Sequence, residues 1–595
     1  MFVRRAWGVA LAALVVLAAG PPIHESVRAH ASQPASPPAP RTTRPQDLKT
    51  SGPQAPKPSG PQAPRTSGPQ DPRTPPARGT PALGAVTFPN SGAPAAQAAF
   101  IRGVAWLHSF GYEDAIDAFQ EAQTIDPSFA LAYWGEALSF DQPLWFMEEP
   151  AKGRAALRKL GATEAERRAK AKTPREQGYL AAVEALYSDG DTRSRHLKYS
   201  DAMAKLAAAF PQDDEAQVFH ALGMLSVLPR GDQSLPLRQK AGAIAEAVFR
   251  KNPQHPGAAH YIIHAYDHGS LAPKALAAAR AYAKVAPAAS HALHMPAHVF
   301  VQLGYWDEAA ATDKASWDAS VQWAARRRLP VSARDFHSLT WLHYEWTQLG
   351  RFREAAGALA LVDEAIRGVK AGDTVGGHHY ADSAIGRGSG LEVLRLARGS
   401  MRARYVLESE RWREMQGQAG FDGIDELFAL GMSAAMLKDR ARVEAAIEEL
   451  RKASAPGQPA ELREQAEIMH HEMQAIHLFA QGRHADAFLQ MDRATLLQAR
   501  MPKPIGRPYP VKGADELYGE LLLEGGRPQA AIEWFDKTLR RTPNRSRAVL
   551  GLARAKAAAG DAAGSRQAYQ QFLQNWKNAD LNLPEVKEAR TAVSR

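Results

Sequence analysis

Two pairs of histidines with one internal spacing carry the chemistry of this sequence. The stretch "HYIIHAYDH", residues 260–268, holds His260 and His264 four apart; "HALHMPAHVF", residues 291–300, holds His294 and His298 at the same spacing. The interval from His260 to His294 equals that from His264 to His298, so the second pair repeats the first place for place. Residues four apart on a helix share a face. Each pair therefore presents two imidazoles side by side, as the two histidines of an HExxH helix do when they share a zinc ion. If the two helices are neighbours, with axes about 8–10 Å apart, the four rings meet in one patch. Imidazole-rich coordination without thiolate suits Zn, Cu, Ni or Fe. The expected metal set is His260, His264, His294 and His298, supported by His268, His291, Asp267 and, from "RDFHSLTWLHYEW", His337. The competing reading is that these rings hydrogen-bond along a tightly packed inner wall, or bind the carboxylates and carbonyls of a peptide. Neither His-x3-His pair encloses a glutamate, and no serine-nucleophile elbow or Gly-rich phosphate loop is present, so the sequence assigns no enzymatic activity.

Other histidines read differently. His220 stands at the matching place one unit upstream, although an insertion at 229–238 blurs the alignment; His343 sits on a core-facing side. His378, His379, His470, His471 and His477 read as solvated or locally paired.

Positioning such rings requires helices stacked at a fixed period. In "FIRGVAWLHSFGYEDAIDAFQEAQTIDP", Gly103 and Trp106 fall on one helix; Tyr112, Ala115, Phe119 and Ala122 fall on a second, and Pro127 ends the unit. Small residues let two antiparallel helices approach, and aromatics fill the gaps. Pro253 and Pro287 are one period apart, and Gly519, Ala531, Phe535 and Pro543 reproduce the spacing near the C-terminus. The pattern resembles the tetratricopeptide repeat (TPR), a helix-turn-helix unit of about 34 residues, which is also the interval between the two histidine pairs. The fold expected is all-α, a right-handed α-solenoid over residues 86–595, with regular repeats near 96–129, 256–321 and 512–577 and irregular units between, notably near 141–180 and 321–335. On the helix 256–268, the histidines and Asp267 lie about 130° around from the apolar face of Ala259, Ile262, Ile263 and Tyr266. They should thus face the concave wall. Pro296 lies inside the second histidine helix and predicts a kink or a late helix start between His291 and His298.

The N-terminal part of the chain has another character. Arg4 and Arg5, an apolar run at 6–19 and the triplet Ala29-His30-Ala31 read as a signal peptide over 1–31, cleaved after Ala31, which predicts an exported protein, periplasmic or extracellular. Residues 32–85 form a Pro/Gly/Ser-rich linker containing "SGPQAPKP", "SGPQAPRT" and "SGPQDPRT", too poor in apolar side chains to order. Of the net charge of +10, residues 1–31 carry +2, the linker +5 and residues 86–595 only +3. That distribution argues against nucleic acid as a partner and leaves the linker a weak association with an anionic surface. No transmembrane span is expected in the mature chain. Cysteine is absent, so disulfides, thiolate metal ligands and cysteine nucleophiles are excluded.

The segments "HPGAAHYIIHAYDH", "YAKVAPAASHALHMPAHVFVQLGYW", "RDFHSLTWLHYEW", "MRARYVLESERW" and "PYPVKGADELYGELLLEGGRPQAAIEWF" resemble a broad family of uncharacterised exported bacterial TPR proteins, over most of residues 95–595. The family pattern includes matches to His260, His264, His291, His294, His298 and His337. Where some members carry a cysteine pair before "YWG", this chain reads "SFALAYWG", so a thiol site there is not expected. The resemblance implies the solenoid and no activity. The function expected is an exported scaffold that grips a protein or peptide in its concave groove; the alternative is a transition-metal protein or metalloenzyme built on the histidine cluster.

Overall fold

Glycines and aromatics alternating at half the repeat period build the unit. The computed structural model describes residues 82–594 apart from 146, 230–231 and 371–389. The signal-peptide reading, residues 32–81 of the linker, and His378 and His379 lie outside the described residues. Phe119, on the helix Tyr112–Ile125, wedges between two first helices, Gln97–His108 and Ala130–Leu138. A Cβ at Gly103 would stand 2.8 Å from its ring, and one at Gly135 2.3 Å. Phe535 does the same near the C-terminus: a Cβ at Gly519 would lie 3.1 Å from its ring and one at Gly551 2.4 Å. Only glycine lets one ring key its own unit to the next.

Twenty-five α-helices follow one another among the described residues, with a single two-residue-per-strand hairpin, Asp141–Gln142 against Met147–Glu148. The architecture is the expected all-α solenoid of TPR-like helix pairs. The histidine-bearing first helices are Pro256–Tyr266, Ser290–Leu303 and Phe336–Gln348, separated by second helices Ala272–Val285 and Trp306–Arg327. The irregular stretches have structure of their own. The hairpin occupies the start of the 141–180 insertion and presents Trp145. The 321–335 insertion lengthens the helix Trp306–Arg327 and ends at Asp335, whose carboxylate accepts from Ser338 N (3.1 Å) and caps the His337 helix.

The expected disruption at Pro296 does not occur: the helix begins at Ser290 and runs through Pro296 to Leu303. Pro296 and its neighbours on both sides are buried between adjacent helices, and that packing outweighs one missing backbone hydrogen bond.

The chain also touches itself far along the sequence. Trp306 Nε1 donates to Asn544 O (2.7 Å), and Asn544 Nδ2 donates to Gly304 O (2.8 Å). Ser546 N donates to Gln348 Oε1 (3.1 Å), and Trp576 Nε1 donates to Gln348 O (3.0 Å). Gly304 permits the contact twice over: its φ of 73° is left-handed, and a Cβ there would stand 2.4 Å from Pro543 O. At the other end, Trp323 Nε1 donates to Asp114 Oδ2 (2.8 Å), and Arg327 pairs with Asp114 and Asp117. The C-terminal and N-terminal units are both laid against the central histidine-bearing units.

Candidate metal centre

The histidines are gathered, but as two triads rather than one patch of four. His294, His298 and His337 form one group, and His260, His264 and His291 the other; in each, the nearest ring nitrogens all lie within 4.8 Å of one another. The solenoid writes the same rule twice. Each triad takes the fifth and ninth residues of one first helix and the second residue of the next first helix. The ring at the second position of one first helix meets the ring at the fifth position of the preceding first helix. His291 and His337 are thus members of the sets, not supports. The expectation of a shared four-histidine site fails because His260 and His294 occupy equivalent places in successive gaps between helices.

The concave-face expectation also needs correction. His260 and His294 are 0% and 1% exposed, and His291 and His298 are buried as well; only His264 and His337 are half-buried. Aromatic rings close over them. Trp341 stacks on His298 (centroids 4.5 Å, 30°) and meets His294 edge-on at 5.1 Å. A Cβ at Gly506 would fall 2.4 Å from the Trp341 ring, so the 505–510 segment covers that side. Phe110 stacks on His291 (5.3 Å, 13°) and Trp145 meets it edge-on at 5.1 Å.

In the triad of His294, His298 and His337 two carboxylates set the tautomers. His294 Nδ1 donates to Asp313 Oδ1 (2.6 Å), and His298 Nδ1 donates to Asp267 Oδ2 (2.9 Å), while Asp267 Oδ1 accepts from Gln302 Nε2 (2.7 Å). With Nδ1 committed as donor, each ring presents the lone pair of Nε2. Those Nε2 atoms are 3.1 Å apart, and His337 Nε2 is 3.0 Å from that of His294. Metal–nitrogen bonds of about 2.0–2.1 Å in a tetrahedral site separate ligand nitrogens by about 3.3 Å, so a few tenths of an ångström of opening admits an ion. Behind Asp313 stands Glu345. Burial, then the charge of Glu345, pushes Asp313 well above the ordinary carboxylate range, and burial takes Glu345 up to about 8 against the opposing Asp313 hydrogen bond and Arg507.

Two further groups contain ligand-type residues at similar spacing, His108–Glu215–His255 and Asp141–Glu148–His196, yet they are closed hydrogen-bond networks. His108 Nε2 donates to Glu215 Oε2 (2.7 Å) and its Nδ1 accepts from Tyr261 OH (2.9 Å). His255 Nε2 donates to Glu215 Oε1 (3.1 Å), and its Nδ1 accepts from Ala258 N (3.2 Å) to cap the His260 helix. His196 lies between Asp141 Oδ1 (3.0 Å) and Ser226 O (3.2 Å), and Glu148 is paired with Arg195. In the two triads, by contrast, the Nε2 atoms of His294 and His260 each face another imidazole nitrogen.

The remaining histidines fall outside both triads. His268 Nδ1 accepts from Ser270 Oγ (2.8 Å) beyond the end of its helix. His220 is the seventh residue of Asp214–Ser226, out of phase with the fifth and ninth places. His343 is fully buried, and burial, with Arg507 and Arg404, lowers it to about 3. His470 and His471 bond to Ile447 O (3.0 Å) and Gln490 Oε1 (2.8 Å), and His477 to Gln481 Nε2 (2.7 Å). Sequence reasoning missed Asp313, Trp341, Phe110 and Trp145. Asp313 alone left a trace: it follows Ala279 by one repeat period, an acid at a place the preceding unit keeps small.

Among the described residues no helix is long and apolar enough to cross a membrane. Comparison with known proteins agrees with the repeat reading: residues 472–546 and 519–580 match the tetratricopeptide-repeat family. No curated protein matches the chain. Among solved structures, the chain is similar to the APC/C hetero-tetramer Cut9–Hcn1 at 12% identity, over 85% of this chain and 77% of that one, with a TM-score of 0.25. It is also similar to a monomeric IFIT1 mutant with Gppp-AAAA, at 10% identity over 80% and 90% of the respective chains, with a TM-score of 0.28.

Proposed function

We propose that this TPR protein binds a divalent transition-metal ion through His294, His298 and His337. The observation that supports this reading is the convergence of three Nε2 atoms, two of them with Nδ1 donating to Asp267 and Asp313. Histidine ligands in metal sites are held in this way by outer carboxylates, which fix the ring and raise its basicity. Zinc, copper, nickel and iron suit the donor set. Three protein ligands leave a fourth position for water or a substrate atom. Elemental analysis of untagged full-length protein, with Zn2+ and Co2+ titrations followed by melting temperature, tests the reading. One equivalent of metal and a rise in melting temperature, both lost in His298→Ala, support it; no metal after reconstitution sinks it.

A second reading concerns the C-terminal repeats. They surround a cleft of about 210 Å³ lined by Glu410, Glu520, Glu524, Arg547 and Arg554, both signs of charge that a polypeptide can meet. In this reading the repeats hold a protein or peptide partner while the metal unit stands apart. A Glu524→Lys/Arg554→Glu variant should lose cross-linked partners and keep its metal content. Export, cleavage after Ala31 and weak surface association through residues 32–85 belong to the same proposal, supported by the sequence pattern; the N-terminal residue of the secreted protein tests the first two.

A further inference from the structure

We infer that His260, His264 and His291 form a second metal site, independent of the first and selective for a monovalent soft cation, Cu+. The geometry is as convergent as in the first centre. His260 Nε2 lies 2.9 Å from His291 Nε2, and the His264 ring is 4.6 Å from that of His260 and 5.8 Å from that of His291, centroid to centroid. The tautomer of His260 is fixed too, since its Nδ1 donates to His108 O (2.6 Å), which leaves the Nε2 lone pair facing His291.

What differs is the charge that holds the rings. The place of Asp313 in the neighbouring unit is Ala279 here, each the eighth residue of its helix. His260 leans on a neutral backbone carbonyl where His294 leans on a carboxylate. The walls are aromatic: Phe110 packs on all three rings, at 4.4 Å from His260, 5.5 Å from His264 and 5.3 Å from His291, and Tyr282 stacks on His260 at 5.0 Å. Burying an ion's charge away from water is costly unless it is offset nearby, and the cost rises steeply with charge. A doubly charged ion therefore favours the centre backed by Asp267 and Asp313. Imidazole also suits copper, and three neutral ligands in an aromatic box fit a singly charged ion content with three bonds.

The test is an anaerobic titration of the full-length chain with Cu+ against a competing chelator, alongside a titration with Co2+. The wild type should take one equivalent of each. His264→Asn, at a half-buried position, should weaken Cu+ binding about 100-fold, the upper end of what a disturbed ligand environment costs, and leave the Co2+ equivalent in place. His337→Asn should do the reverse. Retention of the other metal shows that each variant is folded. His264→Glu, which places a carboxylate among the ligands, should convert the site to a second Co2+ equivalent. Unchanged Cu+ binding in His264→Asn, Cu+ loss in His337→Asn, or two Co2+ and no Cu+ in the wild type would each overturn the inference. Failure of Co2+ alone would count only against the first centre.

Discussion

Asp267 and Asp313 decide which nitrogen His298 and His294 offer, although neither sits at the point where the rings converge. Replacing either by Asn keeps an acceptor and removes the charge. We expect Asp313→Asn and Asp267→Asn each to lower Zn2+ affinity about 10–100-fold with little change in fold, read by chelator competition. Glu215 has a purely structural task with a pH signature. Burial alone would raise its carboxyl, but His255 and His108 outweigh that and bring it from 4.5 down to about 2. Burial meanwhile lowers His108 from 6.5. Both groups are depressed in the folded chain, so their stabilisation is complete above the unfolded values and disappears on acidification. The His108 share should fade below pH 6.5, and the Glu215 share, about 3 kcal/mol by linkage, as pH falls from 4.5 toward 2. Stability against urea across this range measures it. Glu215→Gln should flatten the lower part of the profile; an unchanged profile would refute the role given to this carboxylate.

Helices explain how much of the site could be read beforehand. The two His-x3-His pairs were legible because one strict repeat period relates them, and Asp267 because it follows His264 closely in the chain. His291 and His337 were legible only as supporting residues, since they are separated by more than one period: the insertion that lengthens Trp306–Arg327 pushes equivalent positions apart. Their equivalence lies in helix position, which spacing alone does not reveal. Phe110 and Trp145 come from the first units of the solenoid, far upstream, and no local pattern ties them to His291. The glycine–aromatic wedge was legible as small and large residues in alternation, and it makes a paired prediction. Gly551→Ala puts a Cβ 2.4 Å from Phe535 and should cost about 1–3 kcal/mol. Gly357→Ala, mid-helix with nothing within 4 Å, should stabilise by about 0.5–1 kcal/mol. Chemical denaturation of the two variants checks both signs.

Over the whole chain, repeats usually interact only with their neighbours, and stability is then a sum of units and interfaces. This chain departs from that rule where Asn544, Ser546 and Trp576 meet Gly304, Trp306 and Gln348. Removing residues 544–595 should therefore do more than shorten the array. We expect it to lower the melting temperature of the central units and weaken Zn2+ binding, because the His337 helix ends at Gln348. Equal Zn2+ affinity in the truncated and full-length chains would show the two regions to be uncoupled.

Those contacts also change what the molecule is mechanically. An open solenoid stretches like a leaf spring, each unit yielding a little, and its ends are the softest points. Here the pairs Trp306–Asn544 and Trp576–Gln348 work as a clasp across the coil. Tension applied between the two ends would load the clasp before it reached the histidine-bearing helices. In a single-molecule extension trace, one abrupt opening should precede the gradual unravelling of units, and the histidine-bearing helices should stay intact until that opening.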